Sequence, residues 1–226
     1  MSSPSALVAE NVRKVFRREG YDIEVLKGVS LSLARGEMVG VVGVSGAGKT
    51  TLLQILGTLD RATSGKVRYN GKDVTDLPEA RLADFRNRTI GFVLQFHNLL
   101  PEFTVLENVM LPCLIARENP SEARRRALSL LAEVGLSGRT THRTGEISGG
   151  EQQRVAICRA LVMEPSVLLA DEPTGNLDRS TASGVVDLLV ELNRARGLSL
   201  LMVTHNDRVA ARLHRVVRID DGRIEA

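Results

Sequence analysis

An α/β fold with a central parallel sheet is predicted by three features of the sequence. Short apolar runs typical of strands buried on both faces alternate with helical patterns; they are residues 38–42, 90–94, 167–170, 198–203 and 216–219. A glycine-rich segment follows the first run and precedes an apolar helix. The length of 226 residues suits one large domain and is too short for two such domains in tandem.

The first third of the chain is predicted to be a mixed β region, because strand-forming stretches occur near residues 7–12, 29–33 and 67–69. Further on, apolar residues recur at helical spacing around residues 127–134 and 185–192. The earlier of these helices is expected to start at Asn119 as the cap, with Pro120 in the first turn and Glu122 at the capping-box position.

Residues 78–148 are therefore expected to form a mostly helical subdomain inserted in the α/β core. Neither an internal repeat nor a low-complexity linker is visible, so residues 1–226 are expected to form a single domain with this insertion. Cys113 and Cys158 lie in apolar helical patterns, which favours core positions over metal binding, a disulfide or nucleophilic chemistry.

Composition excludes several classes of function. The chain is 43% hydrophobic and 25% charged, and no apolar run approaches the roughly 18 residues of a membrane span. Its start lacks the pattern of a secretory signal, so we expect a cytoplasmic protein that does not insert in lipid. The net charge of +3 is scattered and aromatic residues make up 3%, which gives nucleic-acid binding no support.

The glycine-rich segment has the spacing of a phosphate-binding P-loop, G-x(4)-G-K-T, in the required strand, loop, helix order. Its three glycines are expected to take backbone angles that other residues avoid, so that successive N–H groups converge on the β and γ phosphates. Lys49 adds positive charge and Thr50 a hydroxyl for Mg²⁺, and the sequence therefore predicts binding of a nucleoside triphosphate. The expected contacts are Gly43, Val44, Ser45, Gly46, Ala47, Gly48, Lys49, Thr50 and Thr51.

Two adjacent carboxylates, Asp171 and Glu172, follow the buried run 167–170 at its carboxyl end, where ligands of parallel sheets bind. A pair of acids at this point is also compatible with a simple turn. Beside a P-loop, Asp171 is expected to hold Mg²⁺ through water, and Glu172 to act as general base on the attacking water.

A second anion-binding helix start is predicted at Ser148, Gly149, Gly150 and Glu151, which precede the helical pattern of residues 155–163. An ordinary capped helix is the alternative. Because the P-loop already binds the chain's own nucleotide, a second site of this kind suggests that it contacts the nucleotide of a neighbouring copy.

Together these motifs resemble the ATP-binding subunits of ABC transporters, with Ile147 where Leu is usual and Glu151 where many members have Gln. The resemblance covers essentially the whole chain. It matches Phe16 to the aromatic residue that stacks on adenine, Gln95 to the Q-loop and His205 to the H-loop, and the D-loop to Asn176, Leu177 and Asp178.

The resemblance implies that two copies sandwich two ATP molecules, with Ser148 and Gly149 of one closing on the γ-phosphate held by the other. His205 would contact that phosphate beside Glu172, and Gln95 would join the metal site and sense the phosphate. Taken alone, three of these residues have another interpretation. Phe16 would lie in the core, Gln95 would be a residue of a solvated loop, and His205 would lie at a capped helix start. Two other enzyme classes fit the sequence less well. An SMC- or Rad50-like DNA-maintenance ATPase carries long coiled coils, and sustained heptads are missing here. A P-loop kinase would leave both His205 and the segment from Ser148 to Glu151 unexplained.

Within the family, residues 95–109 resemble the ATPases of bacterial lipoprotein-releasing complexes. That resemblance implies two integral membrane partners of the LolC/LolE type and a location on the cytoplasmic face of the inner membrane. Residues 170–178 are shared with ATPases of macrolide-efflux and cell-division complexes, which are the alternative assignments.

Overall fold

The computed structural model describes residues 5–18 and 20–225 and contains two β-sheets with helices packed around them. No helix within these ranges is long and apolar enough to cross a membrane. The strands are β1 Ser5–Arg18, β2 Tyr21–Ala34, β3 Met38–Val42, β4 Ser64–Tyr69, β5 Lys72–Asp73, β6 Ile90–Val93, β7 Val167–Asp171, β8 Ser199–Val203, β9 Arg215–Asp220 and β10 Arg223–Ile224.

The larger sheet has six strands in the order β10-β9-β3-β8-β7-β6. All its pairings are parallel except that of β10 with β9, so the predicted parallel core is confirmed. The smaller sheet, β2-β1-β4-β5, is antiparallel and forms the predicted N-terminal β region. This order places the carboxyl ends of β3, β8 and β7 side by side.

The helices are α1 Lys49–Leu56, α2 Glu79–Thr89, α3 Val105–Ile115, α4 Pro120–Glu133, α5 Gly149–Leu161, α6 Arg179–Arg196 and α7 Asp207–Ala210. Residues 78–148 contain α2, α3 and α4, and they also contain β6, a strand of the larger sheet. The continuous helical part of this range therefore begins after Val93.

Alternating residues of the larger sheet face two separate hydrophobic clusters. Leu168 and Ala170 of β7 pack in the cluster formed with α3 to α6, whereas Val167 and Leu169 pack in the cluster formed with α1 and the smaller sheet. Such two-sided burial explains why the strand reads as a continuous apolar run. Cys113 and Cys158 are both buried in the first cluster, where burial raises the pKa of each thiol, so the expected core positions are confirmed.

Helix α4 starts as predicted, with one difference at the capping box. The side chain of Asn119 accepts hydrogen bonds from the N–H groups of Ser121 and Glu122. The carboxylate of Glu122 instead accepts two hydrogen bonds from Arg125, through Oε2 at 2.8 Å and Oε1 at 2.6 Å, and the predicted capping box does not form. Two charged hydrogen bonds to a guanidinium outweigh a single one to a backbone N–H.

Candidate functional site

One cleft at the carboxyl ends of β3, β7 and β8 brings together the P-loop, the paired acids and His205. Its volume is about 340 Å³. Its lining consists of Val25, Ser45, Gly46, Gly48, Lys49, Thr50, Thr51, Asp171, Glu172, Val203 and His205. The three motifs lie far apart in sequence and meet because their strands are neighbours in the sheet.

The P-loop glycines serve two different purposes. Gly48 has φ 100° and precedes the first residue of α1, a left-handed conformation that disfavours any side chain. Gly43 is required by close approach instead, since a Cβ atom there would lie 2.1 Å from the carbonyl oxygen of Ile219. For Gly43, the sequence-based expectation of an unusual backbone angle was therefore wrong, because φ is not positive there.

Lys49 is the first residue of α1, and its side chain folds back along the loop. Its Nζ atom donates to the carbonyl oxygens of Gly43 and Val44, each at 2.8 Å. The ammonium group thus lies beside the start of α1, where the free N–H groups and the helix dipole already favour an anion. A fixed positive charge and several backbone N–H donors at one position form a binding site for a polyphosphate.

Asp171, the last residue of β7, is partly buried in the cleft. Burial raises the pKa of its carboxyl, and the adjacent Glu172 raises it further, while a hydrogen bond with Thr50 and the charge of Lys49 lower it. Raised pKa values that arise from burial together with a neighbouring like charge are typical of functional sites. The structure thus brings Asp171 and Thr50 together, as predicted for two residues of one metal site.

Glu172 and His205 form a direct pair in the cleft. The Nδ1 atom of His205 lies 2.7 Å from Oε1 of Glu172, whose side chain is only 14% exposed. The backbone of Glu172 has φ 45°, an uncommon conformation for a residue with a side chain, and its N–H donates to the carbonyl oxygen of Val203. The pairing orients the Glu172 carboxylate, as a general base requires.

Gln95 lies outside the lining of this cleft and is tied to the segment before α6. Its Nε2 donates to Oδ1 of Asn176 at 3.2 Å, and Nδ2 of Asn176 donates back to the Gln95 carbonyl at 3.0 Å. Leu177 packs against the core cluster, and Asp178 caps α6. The segments predicted as Q-loop and D-loop are therefore joined, while the metal-binding role of Gln95 stays a prediction.

Ser148 caps α5 in a reciprocal capping box with Glu151. The Glu151 N–H donates to Ser148 Oγ at 3.3 Å, and Glu151 Oε2 accepts from the Ser148 N–H at 2.8 Å. The box uses two of the four N–H groups that a helix start leaves without intrahelical partners. Those of Gly149 and Gly150 remain, and within the described residues no acceptor takes them. None of the four residues lines the P-loop cleft.

Phe16 is exposed on β1 and does not belong to the hydrophobic core. Its side chain is 39% exposed, and the Nζ atom of Lys14 lies 4.8 Å from the centre of its ring. Lys14 is itself held by Asp60, whose Oδ1 accepts at 2.7 Å. The core interpretation is excluded, and stacking on adenine stays a prediction.

Three features of the site could not be foreseen from the motifs. Val25 of β2 lines the cleft although its strand belongs to the smaller sheet. Arg159 of α5 donates to the carbonyl oxygens of His97 and Asn98, each at 2.7 Å, and so holds the segment that follows Gln95. The sequence assigns Asn176, the partner of Gln95, only to the D-loop.

The donor atoms around Asp171 fit Mg²⁺. One carboxylate and the hydroxyl of Thr50 supply hard oxygen ligands, and Mg²⁺ usually takes one or two protein ligands with water and phosphate oxygens completing its shell. No group of three or more His, Cys, Asp or Glu side chains suited to a metal occurs in residues 5–18 and 20–225. The two oxygen donors suit a metal that arrives with a nucleotide.

Comparison with known proteins agrees with this chemistry. The family model described as ABC transporter matches residues 26–175. The lipoprotein-releasing system ATP-binding protein LolD of Syntrophus aciditrophicus is 56% identical over 95% of this chain and 96% of its own. LolD of Geobacter metallireducens is 58% identical over 90% and 91% of the two chains.

Solved structures show the same fold. The dimeric structure of the bacterial ABC transporter cassette MJ0796 matches with a TM-score of 0.89 and 39% identity over 97% of both chains. A dimeric post-hydrolysis state of the same cassette, bound to ADP and Pi, matches with a TM-score of 0.88 and 39% identity over 97% of both chains. The predicted ATPase architecture is confirmed by these matches.

Proposed function

Because this chain belongs to the ABC transporter family and is an ATPase of that family, we propose that it powers the release of lipoproteins from the bacterial inner membrane. The observation that carries the ATPase chemistry is the pair of Glu172 and His205, 2.7 Å apart in the cleft that also contains Lys49. Proteins named for lipoprotein release are more than half identical to it.

ATP is held mainly by the P-loop in this proposal. The N–H groups at the start of α1 and the ammonium of Lys49 receive the β and γ phosphates, and Phe16 stacks on the adenine ring. Thr50 and Asp171 hold Mg²⁺, which neutralises charge on the phosphate oxygens when it is bound. Most of the catalysis comes from such positioning and from electrostatic stabilisation.

Hydrolysis depends on a water molecule held in line with the γ-phosphate. Glu172 takes the proton of that water, and His205 keeps the carboxylate of Glu172 in position. The carboxylate is suited to this task because its side chain is 14% exposed and its backbone is fixed by Val203. The product is ADP with inorganic phosphate.

A second copy of the chain completes the site. The free N–H groups of Gly149 and Gly150 make the start of α5 an anion site, yet it lies outside the P-loop cleft of its own chain. We assign it to the γ-phosphate held by the partner copy. This arrangement makes hydrolysis depend on dimerisation, and it agrees with the dimeric cassettes of the same fold.

The membrane partners are proposed to dock beside the segment that follows Gln95. Several large apolar side chains are exposed between residues 96 and 115, with Phe96 at 69% and Ile115 at 72%. Exposed apolar patches of this kind mark interaction sites. The hydrogen bonds between Gln95 and Asn176 would link closure of the dimer to this surface. The partners are two integral membrane subunits of the LolC/LolE type, which place the chain on the cytoplasmic face of the inner membrane.

Affinity purification from native membranes in mild detergent tests the assigned cargo. We expect two membrane subunits of the LolC/LolE type to co-purify and to raise the rate of ATP hydrolysis. A single partner resembling macrolide exporters, or a partner of the cell-division type, would keep the ATPase mechanism and overturn the lipoprotein assignment. Identifying the partner is necessary because residues 170–178 resemble those of both alternative groups.

A further inference from the structure

Glu151 places a negative charge at a helix start that must accept an anion. Its carboxylate is part of the capping box that exposes the N–H groups of Gly149 and Gly150. Removing the carboxylate would free a third donor, but keeping it brings a like charge close to the incoming phosphate. Repulsion between like charges at short range weakens binding unless a cation compensates it.

Arg139 supplies that cation from a different element. Its Nε donates to Oε1 of Glu151 at 3.0 Å, so both carboxylate oxygens are engaged, one by the Ser148 N–H and one by Arg139. These two interactions, with the Ser148 N–H first, hold the pKa of Glu151 below its ordinary value. The carboxylate therefore stays ionised and faces its own helix cap.

The position of Arg139 is set by the region between α4 and α5. It ends a short 3-10 turn, Ser137–Arg139, and its N–H donates to the carbonyl oxygen of Leu136 at 2.9 Å. Leu136 is buried and anchors this turn in the hydrophobic core that α4 and α5 share. The backbone of Arg139 is thus tied to this core, and its guanidinium bridges to α5 at the first turn.

We propose that Arg139 is a positioning residue that neutralises Glu151, so that the start of α5 can accept the γ-phosphate bound by a second copy of this chain. The inference rests on the proposed function, in which α5 acts on the partner's nucleotide. A contribution to fold stability does not account for Arg139. Exposed ion pairs stabilise a fold only weakly, and the side chains of Arg139 and Glu151 are 48% and 27% exposed.

The test is a double-mutant cycle in a Glu172→Gln parent, which binds ATP without turning it over. The ATP concentration for half-maximal dimerisation is measured by light scattering for the parent and for Arg139→Ala, then for the same pair in a Glu151→Gln background. We expect Arg139→Ala to raise that concentration about 3- to 10-fold when Glu151 is present, and less than about twofold when it is absent.

Two controls make the outcome decisive. Arg139→Lys retains the charge and should recover most of the loss, while Arg124→Ala removes an exposed arginine of α4 elsewhere in the same region and should leave the ATP concentration for half-maximal dimerisation unchanged. An equal loss from Arg139→Ala in both backgrounds, or no loss in either, would overturn the proposal. Failure of the Glu172→Gln parent itself to dimerise with ATP would instead contradict the proposed function.

Discussion

Glu172 combines a left-handed backbone conformation with a direct partner for its carboxylate, which suits its proposed role as the catalytic base. Its backbone φ of 45° is unfavourable for a residue with a side chain of this size. Backbone hydrogen bonds with Val203 and Gly175 offset the conformational energy of this backbone. The resulting direction of the side chain brings its Oε1 atom to His205. The sequence pattern identified the residue by its neighbours, but it contained no sign of the backbone conformation or of the pairing.

Glu172→Gln should abolish hydrolysis while ATP binding remains. The amide has nearly the same shape but cannot accept the proton of the attacking water, so the turnover rate should fall about 100-fold or more. Turnover is measured as phosphate release, and dimerisation by light scattering with saturating ATP. The exposed Glu191 of α6 offers a matched control, Glu191→Gln, which should behave as the parent. A Glu172→Gln variant that stays monomeric with ATP would contradict the sandwich model.

Asp171→Asn should make the protein more stable and inactive. Because the folded-state pKa of Asp171 is raised above its ordinary 3.8, the folded protein binds more protons than the unfolded chain at pH values between the two. The free energy of unfolding therefore falls as pH rises through that window, and the charged group destabilises the fold at neutral pH. Asn removes this cost, and the melting temperature at pH 7 should rise, on the order of 2 °C.

The pH dependence separates the burial of charge from a general effect of the substitution. The gain of Asp171→Asn should shrink as the pH is lowered toward 3.8, where the parent carboxyl becomes neutral too. Thermal unfolding between pH 4 and pH 8 measures it. The exposed Asp76 provides the comparison, since Asp76→Asn should leave the melting temperature nearly unchanged across that range. A gain for Asp171→Asn that is independent of pH would count against the buried charge as its cause.

At the scale of elements, the helices show where sequence signals succeed and fail. Asn119 caps α4 as its pattern predicts, because a cap depends on atoms within three residues. The box expected from Glu122 fails because Arg125 competes for the same carboxylate. Contacts such as Arg159 with His97 join residues 62 positions apart, and no local pattern contains them.

Helix α6 depends on Asp178 for its first turn, in addition to the role that the D-loop assignment predicts. The carboxylate accepts from the hydroxyl and N–H groups of Ser180 and Thr181, and the Ser180 hydroxyl is the leading cause of a pKa well below the ordinary 3.8. Asp178→Ala should lower the melting temperature at pH 7 by about 2–4 °C. Calorimetry is the appropriate measurement.

Asp178→Asn distinguishes the cap from a requirement for charge. Asn keeps a capping oxygen but not the charge, so this variant should melt below the parent at pH 7, but by less than Asp178→Ala does. Because the folded-state pKa is depressed, the charge-dependent part of the stability is present above pH 3.8 and is lost as the pH falls toward the folded-state value. Equal destabilisation by Ala and Asn would show that the charge, rather than the cap, stabilises α6.

At the scale of the whole molecule, the sequence predicts those parts of the site whose functional residues come directly after a buried strand. The P-loop and the paired acids could be located because each adjoins a buried apolar run, and parallel strands end at one edge. The contribution of Val25 could not, because it depends on how the smaller sheet packs against α1. The distance between the start of α5 and the cleft of the same chain could not be predicted either, because it depends on the three-dimensional fold.

That separation leads to a prediction about two chains together. Lys49→Ala disables the P-loop of a chain, and Ser148→Arg blocks the start of α5 with a bulky side chain, so each variant alone should be inactive. A mixed dimer retains one complete site, formed by the P-loop of the Ser148→Arg chain and the intact α5 start of the Lys49→Ala chain. With random pairing in an equal mixture, we expect about a quarter of the parental ATPase activity.

The activity of that mixture distinguishes sharing between chains from catalysis within one chain. Differently tagged variants are mixed in equal amounts. Phosphate release is measured for the mixture, for the doubly tagged dimers purified with ATP, in which one of the two sites is complete, and for each variant alone. Recovery of activity only in the doubly tagged fraction supports a site assembled from two copies, since neither chain contains both working parts. Doubly tagged dimers as inactive as their parents would mean that α5 does not act on the partner's nucleotide, and the free N–H groups of Gly149 and Gly150 would then need another explanation.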